Sequence, residues 1–180
     1  MTTDINDQAA VEKRLWDEIS HHGRTVMLGA HVHPMRHFQP MTPFCEPEEG
    51  LIWFFTRSDT DLARSIEEGK SAMMIVQDGQ KFQACVGGEL TLQVDAARVE
   101  KYWNPAVAAW YPEGKADPHL TLLCLDVADA QVWISEGGPI KFAFEVAKAN
   151  LTGKTPDVGG SRRLDLNGRS SRPERSGEPG

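Results

Sequence analysis

The stretch SAMMIVQDGQKFQACVGGELTLQVD, residues 71–95, holds two strands and the turn between them. Ser71–Gln77 is a β-prone run, Asp78-Gly79 is a dipeptide that tolerates the positive φ of a tight hairpin, and 81–94 continues as a longer strand. In its second half Leu90, Leu92 and Val94 alternate with Glu89, Thr91, Gln93 and Asp95, the period-two pattern of a strand with one buried face. Gly87-Gly88 removes two side chains from the middle of that strand and predicts a bulge or the close approach of another backbone. Strands joined by so short a turn pair antiparallel.

Reading outward, the same grammar recurs. Leu51–Thr56 is nearly all aromatic or β-branched and follows the turn Glu46-Pro47-Glu48-Glu49-Gly50. Residues 37–45 predict a strand that Pro40 and Pro43 push toward a sheet edge or a bulge. Thr25–Ala30 is a short strand, ended by His33-Pro34. Upstream, Val11, Leu15 and Ile19 recur at helical spacing and predict an amphipathic helix over 8–22, stopped at Gly23. Asp59 is the expected cap of a short helix over 60–68, ended by Gly69. Downstream, Asp95–Trp110 is helical with a break at Asn104-Pro105, and Tyr111–Gly114 is a loop. Leu120–Ser135 is a strand kinked near Asp126–Ala130, and 141–150 is a last helix. Hairpins dominate and no βαβ series is visible. The pattern therefore favours a closed or nearly closed antiparallel barrel, which also disposes of free sheet edges.

Composition sets further bounds. A chain of 180 residues, 40% hydrophobic with 5 Trp and 7 Phe, suits one domain with a substantial core. We expect a folded body over 1–150 and a disordered tail over 151–180, rich in Gly, Pro, Ser and Arg. The tail carries six basic and four acidic residues, which leaves −9 of the net −7 on the body. An acidic body argues against nucleic acid as a partner. The polar opening MTTDIND is no signal peptide, and the longest apolar runs are too short to cross a bilayer, so no membrane role is expected. Cys45, Cys85 and Cys124 are an odd, widely spaced set without a CxxC pair, which suits free thiols in a reducing, cytoplasmic compartment.

Several chemistries are absent from the motifs. There is no GxGxxG, no P-loop and no GxSxG elbow. His31, His33 and His37, with His119 from afar, invite a metal reading, but Pro34 breaks their register and no Cys/His pair supports it, so no metal is expected.

Three further stretches carry a resemblance when taken in order: HPMRHFQPM (His33–Met41), LIWFFTRSDTDLARSI (Leu51–Ile66) and YWNPAVAAWYPEGKADP (Tyr102–Pro118). Together they resemble the general stress protein 26 group of the pyridoxamine 5′-phosphate oxidase-like flavin-binding split barrels, over about residues 8–148. The resemblance implies a mainly β fold, a six-stranded antiparallel Greek-key split β-barrel with peripheral helices. It also implies a homodimer with flavin mononucleotide (FMN) in clefts between the subunits. On this chain the implied cofactor residues are Gln39, Pro40, Met41 and Thr42, then Phe54, Phe55 and Thr56, with Ser58 and Arg64 near the phosphate. Gln83 would face the cofactor from a neighbouring strand, and Trp110, Tyr111 and Pro112 would reach across from the partner. No side chain is implied as a catalytic residue. The chain departs from the family where Gln39 replaces an Arg and Leu62 a Lys, both expected to serve the phosphate. Three readings follow. One is a stress-related oxidoreductase with NAD(P)H as a redox partner. The second is a non-catalytic module for flavin or another phosphorylated cofactor. The third is a structural dimer with an empty cleft.

Overall fold

The computed structural model describes residues 3–21, 23–31, 37–66, 69–79, 81–135, 139–153 and 159–167. His33, which the metal reading used, lies outside them.

The chain opens with α1 (Gln8–Ile19), capped by Asp7, whose carboxylate accepts from the Ala10 N–H at 3.1 Å. Strands β1 (Val26–Ala30), β2 (Gln39–Met41), β3 (Phe44–Glu46) and β4 (Leu51–Arg57) follow. A single turn of helix, α2 (Asp61–Ser65), precedes the hairpin of β5 (Lys70–Asp78) and β6 (Phe82–Gln93). Two short helices, α3 (Ala96–Tyr102) and α4 (Pro105–Ala108), lead to β7 (Leu120–Ile134), α5 (Pro139–Thr152) and β8 (Gly160–Asp165).

The eight strands of the described residues form one antiparallel sheet in the order β2-β1-β5-β6-β7-β4-β3, with β8 also paired to β7. Laid flat, a path of seven strands would hold its end strands about 29 Å apart. Yet only Thr42 and Pro43 separate β2 from β3, a reach of about 11 Å at most. The sheet must therefore curl until its two ends meet, and the result is a split β-barrel with helices at its periphery. The six expected strands become eight because Pro43 divides the 37–45 strand into β2 and β3, and because β8 exists. Both readings of the glycine pair hold. The β6–β7 register shifts between Gly87 and Gly88, and a Cβ on Gly88 would lie 2.1 Å from the Asp126 carbonyl oxygen.

The concave interior holds one apolar cluster. Leu28, Ile52, Phe54, Met74, Val86, Leu90, Leu123 and Leu125 fill it, and α1 presents Val11, Leu15, Trp16 and Ile19 to it. Each such side chain contributes about 1.5–3 kcal/mol when withdrawn from water. A second, smaller cluster of Trp53, Val99, Leu122 and Cys124 lies where α3 covers the outer face of β4 and β7. Strand β4 is thus buried on both faces, which explains its near-continuous apolar sequence.

Beside that second cluster, Glu46 is a buried hub. Its carboxylate accepts from Trp53 Nε1 at 2.8 Å, Arg98 Nε at 3.1 Å, Lys101 Nζ at 2.7 Å and the Tyr102 hydroxyl at 2.8 Å. Arg98 also lies 4.3 Å from the centre of the Trp53 ring and bonds Asp95 and Glu49. Burial by itself would raise the Glu46 carboxyl, but these donors outweigh it and hold it down at about 2. The cluster fastens α3 to β3 and β4.

Two expectations need correction. Thr60, not Asp59, caps α2: its hydroxyl accepts from the Ala63 N–H at 3.2 Å, while Asp59 is taken by Arg57. The tail expected to be disordered over 151–180 contains β8, antiparallel to β7, with Leu164 and Leu166 in the main core. Arg162 donates to the backbone carbonyls of Ile5 and Asn6, and Arg163 meets Asp129 at 2.6 Å. The Gly/Ser/Arg composition hid two leucines spaced two apart, the minimal repeat of a strand with one buried face. Residues 168–180 lie outside the described ones.

Candidate functional site

The place where the sheet closes on itself carries a cleft of about 320 Å³. Pro40, Met41 and Thr42 form its floor, Phe44 and Phe55 rise from β3 and β4, and Trp110 and Tyr111 stand opposite. Each position has a local cause. Alternation along β4 turns Phe54 into the interior, fully buried, and Phe55 outward into the cleft. Asn104 caps α4, its side-chain oxygen accepting from the N–H groups of Ala106 at 2.9 Å and Val107 at 3.1 Å, and Pro105 occupies the first helical position. That cap aims the following turn so that Tyr111 packs beneath the cleft while Trp110, 78% exposed, stands at its mouth.

Tyr111 is a fixed wall. Its hydroxyl donates to the Thr56 carbonyl at 2.9 Å, and burial pushes its pKa up to about 12. Its ring lies 6.4 Å from Phe55 and 6.0 Å from Trp103, and Phe55 meets Phe44 edge-on at 5.5 Å. These contacts form a continuous aromatic chain behind the cleft. Among the described residues, none of the lining side chains is a carboxylate, Lys, Arg, His or Cys.

Next to Tyr111 the β4–α2 turn makes a polar knot. Arg57 donates to both carboxylate oxygens of Asp59, at 3.1 and 2.9 Å, and lies 3.7 Å from buried Asp117. The Arg57 hydrogen bond holds the Asp59 carboxyl below its usual range. Arg64 donates to the Asp59 carbonyl, and the Thr56 and Thr60 hydroxyls are 3.4 Å apart. The Ser58 hydroxyl lies 3.4 Å from His119 Nδ1, so His119 belongs to this knot rather than to a group with His31 and His37.

Of the residues singled out from sequence, Pro40, Met41, Thr42, Phe55, Trp110 and Tyr111 come together in the cleft. Gln39 precedes them on β2, opposite Leu28. Thr56, Ser58 and Arg64 belong to the adjoining knot. Pro112 is exposed and outside the lining. Phe54 is core. Gln83 sits at the far hairpin, donating to the Gly79 carbonyl at 3.0 Å, opposite Gln77 and Trp133. The sequence reading missed Phe44, Asn104, Ala106 and Val107. The Asn-Pro step was a legible helix start, whereas Phe44 carries no local signal that distinguishes it from strand filler.

A row of apolar side chains runs from the cleft across the outer face of the sheet. Pro40 pairs with Met27, Met27 with Ile75, and Ile75 with Cys85. Met73 and Phe38 adjoin it, and Met27, Met73, Ile75 and Phe38 are all exposed. Phe38 sits on Gly29, where an added Cβ would lie 3.0 Å from its ring.

A curled antiparallel sheet with an aromatic cleft at its seam defines a split-barrel protein, and the match of residues 10–157 to the family "pyridoxamine 5′-phosphate oxidase like" places the chain in that family. Within it, the chain is similar to a protein assigned to general stress protein 26 from Jannaschia sp. CCS1. The two are 32% identical over 88% of this chain and 99% of that one, with a TM-score of 0.71. It is also similar to the general stress FMN/FAD binding protein of Xanthomonas citri, at 38% identity over 72% of this chain and 92% of that one, TM-score 0.65. A general stress family protein of Xanthomonas campestris pv. campestris is 37% identical over 73% and 92%, TM-score 0.65. Among curated proteins no relative matches. No helix among the described residues is long and apolar enough to cross a membrane.

Proposed function

We propose that this protein holds the ring of FMN in the seam cleft and works as a stress-related, cytoplasmic flavin oxidoreductase. The observation that carries the reading is the cleft itself, aromatic-walled and without a charged side chain among its described lining residues. Such a space suits a planar, uncharged ring system. The name of the Xanthomonas citri relative, which states FMN/FAD binding, supports it at 38% identity. When bound, the flavin supplies the redox chemistry, with NAD(P)H as the electron donor. The chain supplies the rest: Thr42 and the backbone beside it offer polar groups to a ring edge, Phe55 and Tyr111 offer apolar faces, and Trp110 screens the mouth from water. The ring half of FMN fits these residues. For the phosphate half, the cations that the described residues of the adjoining knot offer are Arg57, bonded to Asp59 beside Asp117, and Arg64, bonded to the Asp59 carbonyl.

The working form in this reading is a homodimer. The exposed apolar row of Met27, Ile75 and Met73 begins at Pro40, the cleft floor, so a second copy seated there would wall the cleft on its open side. Cys45, Cys85 and Cys124 form no disulfide with one another, which suits a reducing compartment.

A second reading, a flavin carrier without turnover, is favoured by a described lining whose side chains include no carboxylate, His, Lys or Cys. Two measurements on purified protein test both. Flavin absorption bands in the visible spectrum are expected, and a colourless protein that stays colourless with added FMN rejects either reading. Anaerobic bleaching by NADH or NADPH faster than that of free FMN identifies the oxidoreductase, and bleaching no faster identifies the carrier.

A further inference from the structure

The geometry points to a second ligand site, a cavity of about 300 Å³ between α3 and β7 that takes a small organic cation, a compact apolar body carrying one ammonium group. This cavity shares no lining residue with the seam cleft and does not depend on the flavin reading.

The chain builds the cavity from three sides. Strand β6 ends at Gln93, and the alternation that would turn Val94 inward ends with it, so Val94 lines the cavity while 94% exposed. Asp95 then caps α3, accepting from the Arg98 N–H at 2.9 Å, and the helix lies on the outer face of β7 with Val99 in one cluster with Leu122. Ala96, in the first turn of α3, leaves room that a larger side chain would fill. The chain returns through Gly114, at a φ of +66° that suits glycine, and supplies Lys115 and Asp117 to the lining. Val99, Leu120 and Leu122 give the cavity an apolar surface, and its volume lies at the lower end of the range of about 300–1,000 Å³ for small-molecule sites. The charge that a guest meets is set by Asp117, whose side chain is 5% exposed. One of its oxygens accepts from the His119 N–H at 2.9 Å. The other faces Arg57 at 3.7 Å, beyond hydrogen-bond length, and that guanidinium already bonds both oxygens of Asp59. A carboxylate held in this way keeps acceptor capacity for a donor entering from the cavity. The other charges of the lining are matched: Asp95 by Arg98, and Glu100 by Lys115 on the exposed surface, where water screens them. An ammonium beside Asp117 gains a charge-assisted bond, and the body it carries covers Leu120, Leu122 and Val94.

The test is an amide-shift NMR titration of the full chain near neutral pH with benzylamine, benzyl alcohol and benzoate, probes of similar shape and different charge. Benzylamine is expected to shift the amides of residues 94–99 and 120–122 saturably and to bind about tenfold tighter than benzyl alcohol, with benzoate weakest. Asp117→Asn keeps the side chain's size and its acceptor for the His119 N–H, and is expected to bring benzylamine down to the level of benzyl alcohol while leaving benzyl alcohol unchanged. Ala96→Phe fills the cavity from an exposed helical position and is expected to weaken benzylamine and benzyl alcohol alike by about tenfold, which carries the test if Asp117→Asn fails to fold. Benzylamine binding no tighter than benzyl alcohol, or undiminished in either folded variant, overturns the site. So do shifts confined to Met41, Thr42 and Phe55 of the seam cleft, and so does the lack of a saturable shift with any probe.

Discussion

At the scale of single residues, the cleft depends on which of two neighbouring aromatics faces it. Phe54 and Phe55 look alike in sequence, and both were candidates for cofactor contact. Strand alternation sends the first to the core and the second to the cleft, but the phase of that alternation depends on which face of β4 is concave, a property of the whole sheet. Tyr111 was legible as a candidate, yet its role as a wall comes from a bond no sequence displays, the one to the Thr56 carbonyl. Tyr111→Phe is expected to lower stability by about 1 kcal/mol in urea unfolding, since it strips a partly buried carbonyl of its donor. The same change should alter the cleft's shape little, because the ring remains.

Elements add what residues alone do not. The hairpin β5–β6, the bulge where β6 pairs with β7, and the α3–α4 break were all written locally, in Asp78-Gly79, Gly87-Gly88 and Asn104-Pro105. The Glu46 hub was not, because its donors arrive from positions 53, 98, 101 and 102. Its carboxyl sits at about 2 in the folded chain against an ordinary 4.5. A depressed acid stabilises the fold fully above its unfolded pKa and loses that contribution as pH falls toward the folded one. Glu46→Gln is therefore expected to cost on the order of 3 kcal/mol near neutrality. The gap between variant and parent should close as pH drops from about 4.5 toward about 2, followed by urea unfolding across that range. Strand β8 makes the complementary point, since two inward leucines outweigh a composition that reads as disordered. Leu164→Ala is expected to lower stability by about 2–5 kcal/mol, measured by thermal or urea unfolding. A change below about 0.5 kcal/mol would show that β8 does not share the core.

For the whole molecule, the barrel class was legible because hairpins outnumber every other connection. The uncovered sheet face was not, because Met27, Met73 and Ile75 read as ordinary strand residues until the ladder sets them side by side. If a second copy covers that face, Ile75→Asp is expected to shift the particle from dimer to monomer in sedimentation equilibrium at micromolar protein. Flavin retention should fall with it. A parent chain that already sediments as a monomer removes the homodimer from the proposal.

The meeting of β2 and β3 across Thr42 and Pro43 has one more consequence. The floor of the cleft is pinned by two ladders at once, Pro40 against Met27 on one bank and Phe44 against Trp53 on the other. Sliding either ladder by a notch would drag the short bridge between them and misalign the opposite bank. Neither can slip without the other, so the recess keeps its outline before any guest arrives, and little ordering remains to be done when one enters.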